Sequence, residues 1–330
     1  MYVLSLLCFM QAGCTDFSYE GIAGIKDDNE NFGPQKVLMF VGKSNDIAKD
    51  TRGTGVIDGE VGLDDRSFYV YSFLKGNIDV PYSGAGSENS LSCLIDASID
   101  RPGSVQGREV FWNAESGLVE WKTPDVPELY YPDGDALGLN YDFFAYYVDD
   151  MELEEDDFSR DKNSVKVDIE IDGSQDLMSS VAKPKEEDLR MGLDSYDEEY
   201  AGKEYAYRKE CSFSWYTAEK NIHPTFVFKH HLVKLDFKFV PGLTPGISKD
   251  VRVEKIEVFS QNKGVFTVAH KNPDFLALDF SGDPVSLELR EKDGTEYEPR
   301  EIATAATPDV VQSGVIDDLG SLLVAPATDY

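Results

Sequence analysis

Cysteine is scarce in this chain: Cys8, Cys14, Cys93 and Cys211 are the only four in 330 residues, and no two are spaced C-x-x-C. That leaves zinc-ribbon and thioredoxin-type chemistry without support. Cys93 and Cys211 could bridge in an oxidising compartment, while two buried free thiols are an equal or better reading. Histidine is as rare, limited to His223, His230, His231 and His270. His230 and His231 are adjacent in an extended stretch and so project to opposite faces, poor geometry for holding one metal. Positive charge is also short: 31 Lys and Arg stand against 62 Asp and Glu, a net charge of -31. With no basic patch to offset that, a polyanion such as nucleic acid is a poor partner, and the acidity reads as solubility for an exposed protein. H-E-x-x-H, G-x-S-x-G, P-loop and dinucleotide fingerprints are absent, and the carboxylates are too many and too scattered to single out a catalytic pair. No enzyme, metal or cofactor is favoured.

Aromatic residues, by contrast, make up 12% of the chain. They sit with Val, Ile and Leu in short runs between Gly and Pro, which favours β structure. A length of 330 residues suggests two domains. Strands are expected at Lys36–Val41, Phe68–Leu74, Val80–Ser83, Leu91–Ile95, Glu109–Asn113 and Tyr141–Val148. Val165–Ile171 alternates cleanly, with Val167, Ile169 and Ile171 on one face and Lys166, Asp168 and Glu170 on the other, and ends in an Asp172-Gly173 turn. Trp112 and Trp121 flank a turn around Gly117, where the two rings could face one another as core. Asp149–Asp157 is a charge run without an EF-hand register, and therefore a solvated loop rather than a calcium site. Lys183–Arg208 is acidic, Tyr-rich and poor in aliphatics, a long surface excursion. Further strands follow at Val251–Ser260, Val265–His270, Phe275–Phe280, Val285–Leu289 and Leu322–Val324. Short strands at this spacing indicate a sandwich.

The most informative stretch is Thr225–Val240. Its apolar residues are Phe226, Phe228 and Leu232, then Leu235, Phe237 and Phe239, so the buried parity flips near Leu232–Leu235. A flip requires a bulge, or a strand that crosses from one sheet to another. Val251–Ser260 flips in the same way between Val253 and Ile256.

At the other end, the apolar run Tyr2–Met10 is far short of the ~20 residues that span a bilayer and fits a signal-peptide core. It runs into Gln11-Ala12-Gly13-Cys14, which resembles a bacterial lipobox, with Cys14 the residue to be acylated. Gln11 stands where Leu is usual and no Lys or Arg precedes the core, which implies a true start upstream of Met1. Thr15–Gln35 is polar and acidic, a flexible tether. Gly42–Asp65 is rich in Gly and Asp, an exposed loop containing Asp50-Thr51-Arg52-Gly53.

Phe228-Lys229-His230-His231-Leu232-Val233-Lys234-Leu235 resembles the F-x-H-x-L-x-K motif of the fimbrillin family, the type V pilins of Bacteroidetes. Phe68–Phe73, Tyr141–Tyr147, Gln175–Met178 and Leu322–Pro326 resemble further family segments, in the family's order, across most of Val37–Tyr330. The resemblance implies an all-β protein of two β-sandwich (transthyretin-like) domains in tandem. The division is residues 1–14 as lipoprotein signal peptide, 15–35 as tether, 36–222 as the first sandwich and 223–330 as an incomplete second one. It implies a lipid-anchored precursor at the outer membrane surface, cut by an Arg-specific protease at Arg52, with Arg66 the runner-up. The strand at residues 36–41 is then lost, and the groove is filled by a strand from another pilin subunit. The implied partners are pilin subunits, the membrane, the protease and adhesion ligands. A surface lipoprotein that binds glycans through Trp and Tyr without polymerising is the alternative; a secreted hydrolase would need an acid/base cluster that the residues do not reveal.

Overall fold

A computed structural model describes residues 40–42, 67–75, 93–95, 105–113, 118–121, 131, 140–149, 151–184, 213–214, 217–218, 222–239, 251–289, 297–302 and 317–326. The strands in chain order are β1 (Phe40–Gly42), β2 (Ser67–Leu74), β3 (Cys93–Ile95), β4 (Arg108–Asn113), β5 (Leu118–Trp121), β6 (Tyr141–Val148), β7 (Phe158–Arg160), β8 (Ser164–Glu170), β9 (Leu177–Val181), β10 (Thr225–Phe226), β11 (Lys229–His230), β12 (Val233–Phe239), β13 (Val251–Val253), β14 (Glu257–Ser260), β15 (Lys263–His270), β16 (Leu278–Ser281), β17 (Val285–Glu288), β18 (Arg300–Ile302) and β19 (Asp317–Val324). Among the described residues, helix is confined to Thr217–Ala218 and to single 3-10 turns at Glu155–Asp157 and Pro273–Phe275. The fold is all-β, as expected.

Nine strands share one sheet, ordered β10-β1-β5-β4-β2-β6-β9-β11, with β3 beside β2. Its two ends are successive pieces of one segment. Thr225 stands opposite Val41 on one side and Lys183 on the other, while Lys229 and His230 stand opposite Ser179 and Met178. The pairings therefore close into a ring, β1-β5-β4-β2-β6-β9 and back through residues 225–230. Ring closure leaves these strands few open edges.

β6 explains why this wall is central. All of Tyr141–Tyr147 is buried, on both faces. Phe143, Ala145 and Tyr147 join Phe68, Val70, Val110, Phe213, Phe226 and Phe228 in one core. Phe144 and Tyr146 face the other way and pack with Tyr71, Phe73, Val165, Val167, Ile169 and Phe266. That second core lies between the ring wall and a four-stranded sheet ordered β16-β15-β8-β7. The clean alternation expected over Val165–Ile171 is present, with Val165, Val167, Ile169 and Ile171 buried. Tyr71 and Tyr146 donate their hydroxyls to the carbonyls of Val105 and Gln106, fastening the 105–107 turn to the wall.

Three two-stranded ribbons complete the fold: β12-β19, β13-β18 and β14-β17. Their core is smaller and purely aliphatic at its centre, built from Leu287, Leu289, Leu319, Leu322 and Val324.

Several expectations need correction. Strands on both sides of His223 share sheets: β10 and β11 pair with β1 and β9, and β15 pairs with β8. The chain therefore has no clean break where residues 36–222 were expected to end. Phe275 is not in a strand. Asn272 caps a 3-10 turn by accepting from Asp274 N, with Pro273 pre-set for the turn, so β16 begins only at Leu278. Across the β4-β5 hairpin, Trp112 stands opposite Val119 and Trp121 opposite Val110, so the two Trp residues are diagonal neighbours instead of partners.

Candidate functional site

β1 overlaps, at Phe40 and Val41, the strand that the resemblance implies is lost on processing, and its setting is specific. Phe40 and Val41 stand antiparallel to Val119 and Leu118 of β5, while Val41 and Gly42 stand parallel to Thr225 and Phe226. Among the described residues, each flank thus meets β1 in two residue pairs. A backbone hydrogen bond contributes about 0.5–1.5 kcal/mol net, so these described pairings contribute on the order of a few kcal/mol. Residues 36–39, the rest of the expected strand, lie outside the described residues, as do Cys14, Arg52, Arg66, loop residues 43–65 and Val80–Ser83. So do Cys211 and the side chain of Cys93.

Both neighbours of β1 have other support. β5 is held along all four residues by β4, from Leu118 opposite Asn113 to Trp121 opposite Val110. The guanidinium of Arg108 lies 4.8 Å over the Trp121 ring, covering that indole face with a cation instead of leaving it open as a glycan platform. On the other flank, Thr225 exchanges two backbone hydrogen bonds of 3.0 Å with Lys183. Phe226 and Phe228 are buried edge-on against Phe68, with ring centroids 6.1 and 5.1 Å away. With β1 absent, β5 and β10 would frame a slot about 9.5 Å across, two strand spacings wide. Because β5 and β10 run opposite ways, any strand filling it has one parallel and one antiparallel neighbour.

Of the two readings of the parity flip near Leu232–Leu235, a bulge or a crossing between sheets, the structure shows the crossing. β10 and β11 belong to the ring, the chain turns at His231–Leu232, and β12 pairs with β19. The F-x-H-x-L residues Phe228, His230 and Leu232 are all buried along it. Val251–Ser260 behaves likewise, changing partner from β18 to β17 across residues 254–256.

Two polar contacts at the crossing were not legible from the sequence. His230 Nδ1 lies 2.8 Å from Asp176 Oδ2, with both side chains buried. His231 Nε2 lies 2.7 Å from Ser179 Oγ, and its ring packs edge-on to Phe266 at 5.0 Å. Adjacent histidines thus go to separate partners, in keeping with their opposite faces. Asp176 is one of 62 acidic residues, and only its place just before the buried run Leu177–Ser180 marks it out. Asp176 and His230 lie in two of the segments that carry the family resemblance, and the fold brings them together.

A serine hydroxyl against an imidazole has the form of a nucleophile and its base. Here burial first, and the charges of Lys229 and His230 second, hold the His231 pKa down at about 4. Such a ring is a weak base at neutral pH. Among the described residues no group of three His, Cys, Asp or Glu could hold a metal ion. The Asp149–Asp157 run contains a capped 3-10 turn at Glu155–Asp157, with no buried residue. Among the described residues, no helix is long and apolar enough to cross a membrane.

Comparison with known proteins is sparse. No family model matches the chain, and no curated protein matches it. One crystal structure, from Bacteroides ovatus and named a "putative cell adhesion protein", aligns over 89% of this chain and 79% of its own at 13% identity, with a TM-score of 0.42. A likeness at that score is too loose to transfer a fold or a task.

Proposed function

We propose that this is a fimbrillin-like surface protein that serves adhesion, and that its subunits join by strand replacement at the β1 position. One observation carries the reading: among the described residues β1 is bracketed by β5 and β10, with two residue pairs on each side, and both brackets keep partners of their own. Extraction of such a strand would expose two backbone edges, one on β5 and one on β10, while each keeps its other partner. A donor strand would gain affinity from main-chain hydrogen bonds and specificity from alternate side chains. Arg52 follows β1 in the chain, and cleavage there would free it. Cys14 would carry the lipid that holds the precursor at the outer membrane, since a multi-acyl anchor is firm where one chain is marginal.

The test is negative-stain microscopy of purified protein before and after digestion with an Arg-specific protease, beside an Arg52→Ala variant. Filaments that form only after digestion, and not from the variant, support the reading. Cleavage at Arg52 that yields monomers alone, with retention on a glycan array, would replace it with the glycan-binding alternative. Membrane fractionation of Cys14→Ser tests the anchor separately; unchanged sedimentation would remove the lipoprotein part.

A further inference from the structure

The segment 225–231 is held on its β9 side by more than a backbone ladder. Thr225 exchanges both hydrogen bonds with Lys183, and His231 N donates to Leu177 O at 2.9 Å. Between them, three side chains of the 176–180 stretch reach across. Ser180 Oγ accepts from Val227 N at 3.0 Å, Asp176 Oδ2 meets His230 Nδ1 at 2.8 Å, and Ser179 Oγ meets His231 Nε2 at 2.7 Å. None of these contacts involves β1. The ribbon β12-β19 starts two residues after His231, and Leu232 and Leu323 both bury into the core between the ring wall and the four-stranded sheet.

We infer that Asp176, Ser179 and Ser180 are positioning residues that pin the crossing segment to β9, so that the ring can open at β1 while β12-β19 keeps its place. This rests on the reading of β1 as removable. The pinned segment is then a standing acceptor edge, and loss of β1 stays local because its mechanical path to the ribbon is interrupted at Asp176–His230.

The experiment is amide hydrogen exchange on the full chain, which reports local opening segment by segment. Val41→Pro removes an N–H from β1 and breaks its pairing. In that variant, exchange at Leu118–Trp121 should rise roughly tenfold or more, while His231–Phe239 and Leu322–Val324 keep wild-type rates. Adding Asp176→Ala should carry the fast exchange into Val233–Phe239. Adding Asp176→Asn instead, which keeps an acceptor for the imidazole N–H, should restore protection. Fast exchange in β12 from Val41→Pro alone would overturn the inference, as would a double variant in which β12 stays protected. No change at Leu118–Trp121 would sink the removable-strand reading instead. The pinning is then judged from Asp176→Ala alone: faster exchange at Thr225–His231 sustains it, and wild-type rates there overturn it.

Discussion

The ring wall and the ribbons bury their side chains in different ways. In the wall, β2 and β6 run side by side with rings on both faces: Tyr71 stacks on Tyr146 at 5.9 Å, Phe73 lies 6.4 Å from Phe144, and Phe143 meets Phe213 edge-on at 5.7 Å. In the ribbons, β14 and β17 bury Leu287 while Phe259 is 70% exposed and Val285 is 39% exposed. A strand buried on both faces reads as a continuous apolar run, and a strand buried on one face alternates. The same chain uses both modes. At β6 the wall tolerates little change because both faces are filled, whereas β14 and β17 keep one face in water.

The largest expected effect that would test this contrast is in the wall. Phe143→Ala removes a fully buried ring and should cost about 3–5 kcal/mol in urea or guanidinium unfolding. A loss below about 1.5 kcal/mol would mean that the wall is not the tightly packed region.

Next comes the crossing. The His231 pKa is depressed to about 4 by burial, with Lys229 and His230 adding to it. The unfolded chain binds this proton below about pH 6.5 and the folded chain only below about 4, so folding stability falls as pH drops through that window. The loss approaches about 3 kcal/mol at its end and stops growing below it. His231→Gln should flatten that stretch of the stability–pH curve. A curve unchanged by the substitution would show the ring to be solvated.

A smaller effect compares two glycines with positive φ. At Gly107, φ is +85° and an added Cβ would lie 2.7 Å from the Val70 carbonyl oxygen. At Gly282, φ is +91° and nothing lies within 4 Å. Gly107→Ala should therefore cost about 2–3 kcal/mol and Gly282→Ala about 1, the strain of a left-handed alanine alone. Equal shifts in melting temperature would show that the wall yields as easily as the surface turn. Last, Phe259→Ser should leave stability within about 0.5 kcal/mol, because the ring is already in water.

Much of the strand pattern was legible because alternation is local. Val165–Ile171 shows it, and the parity flips at Leu232–Leu235 and Val253–Ile256 each marked a real change of partner. Phe275 misled because an apolar residue beside Asn272-Pro273 reads as strand until the cap is seen. Trp112 and Trp121 misled because a turn position does not specify register. The Asp176–His230 pair was hidden because 54 residues separate its members, and nothing in composition links them.

The sequence by itself determined an all-β chain, the positions of most strands and the points where they change face, because side-chain periodicity needs only near neighbours. Tertiary structure alone decided that residues 225–230 close the ring, that β15 joins β8 across the expected junction, and that β1 sits between β5 and β10. Those are choices of partner between segments far apart in the chain. They follow from which apolar faces and buried polar groups satisfy one another once the whole chain is packed.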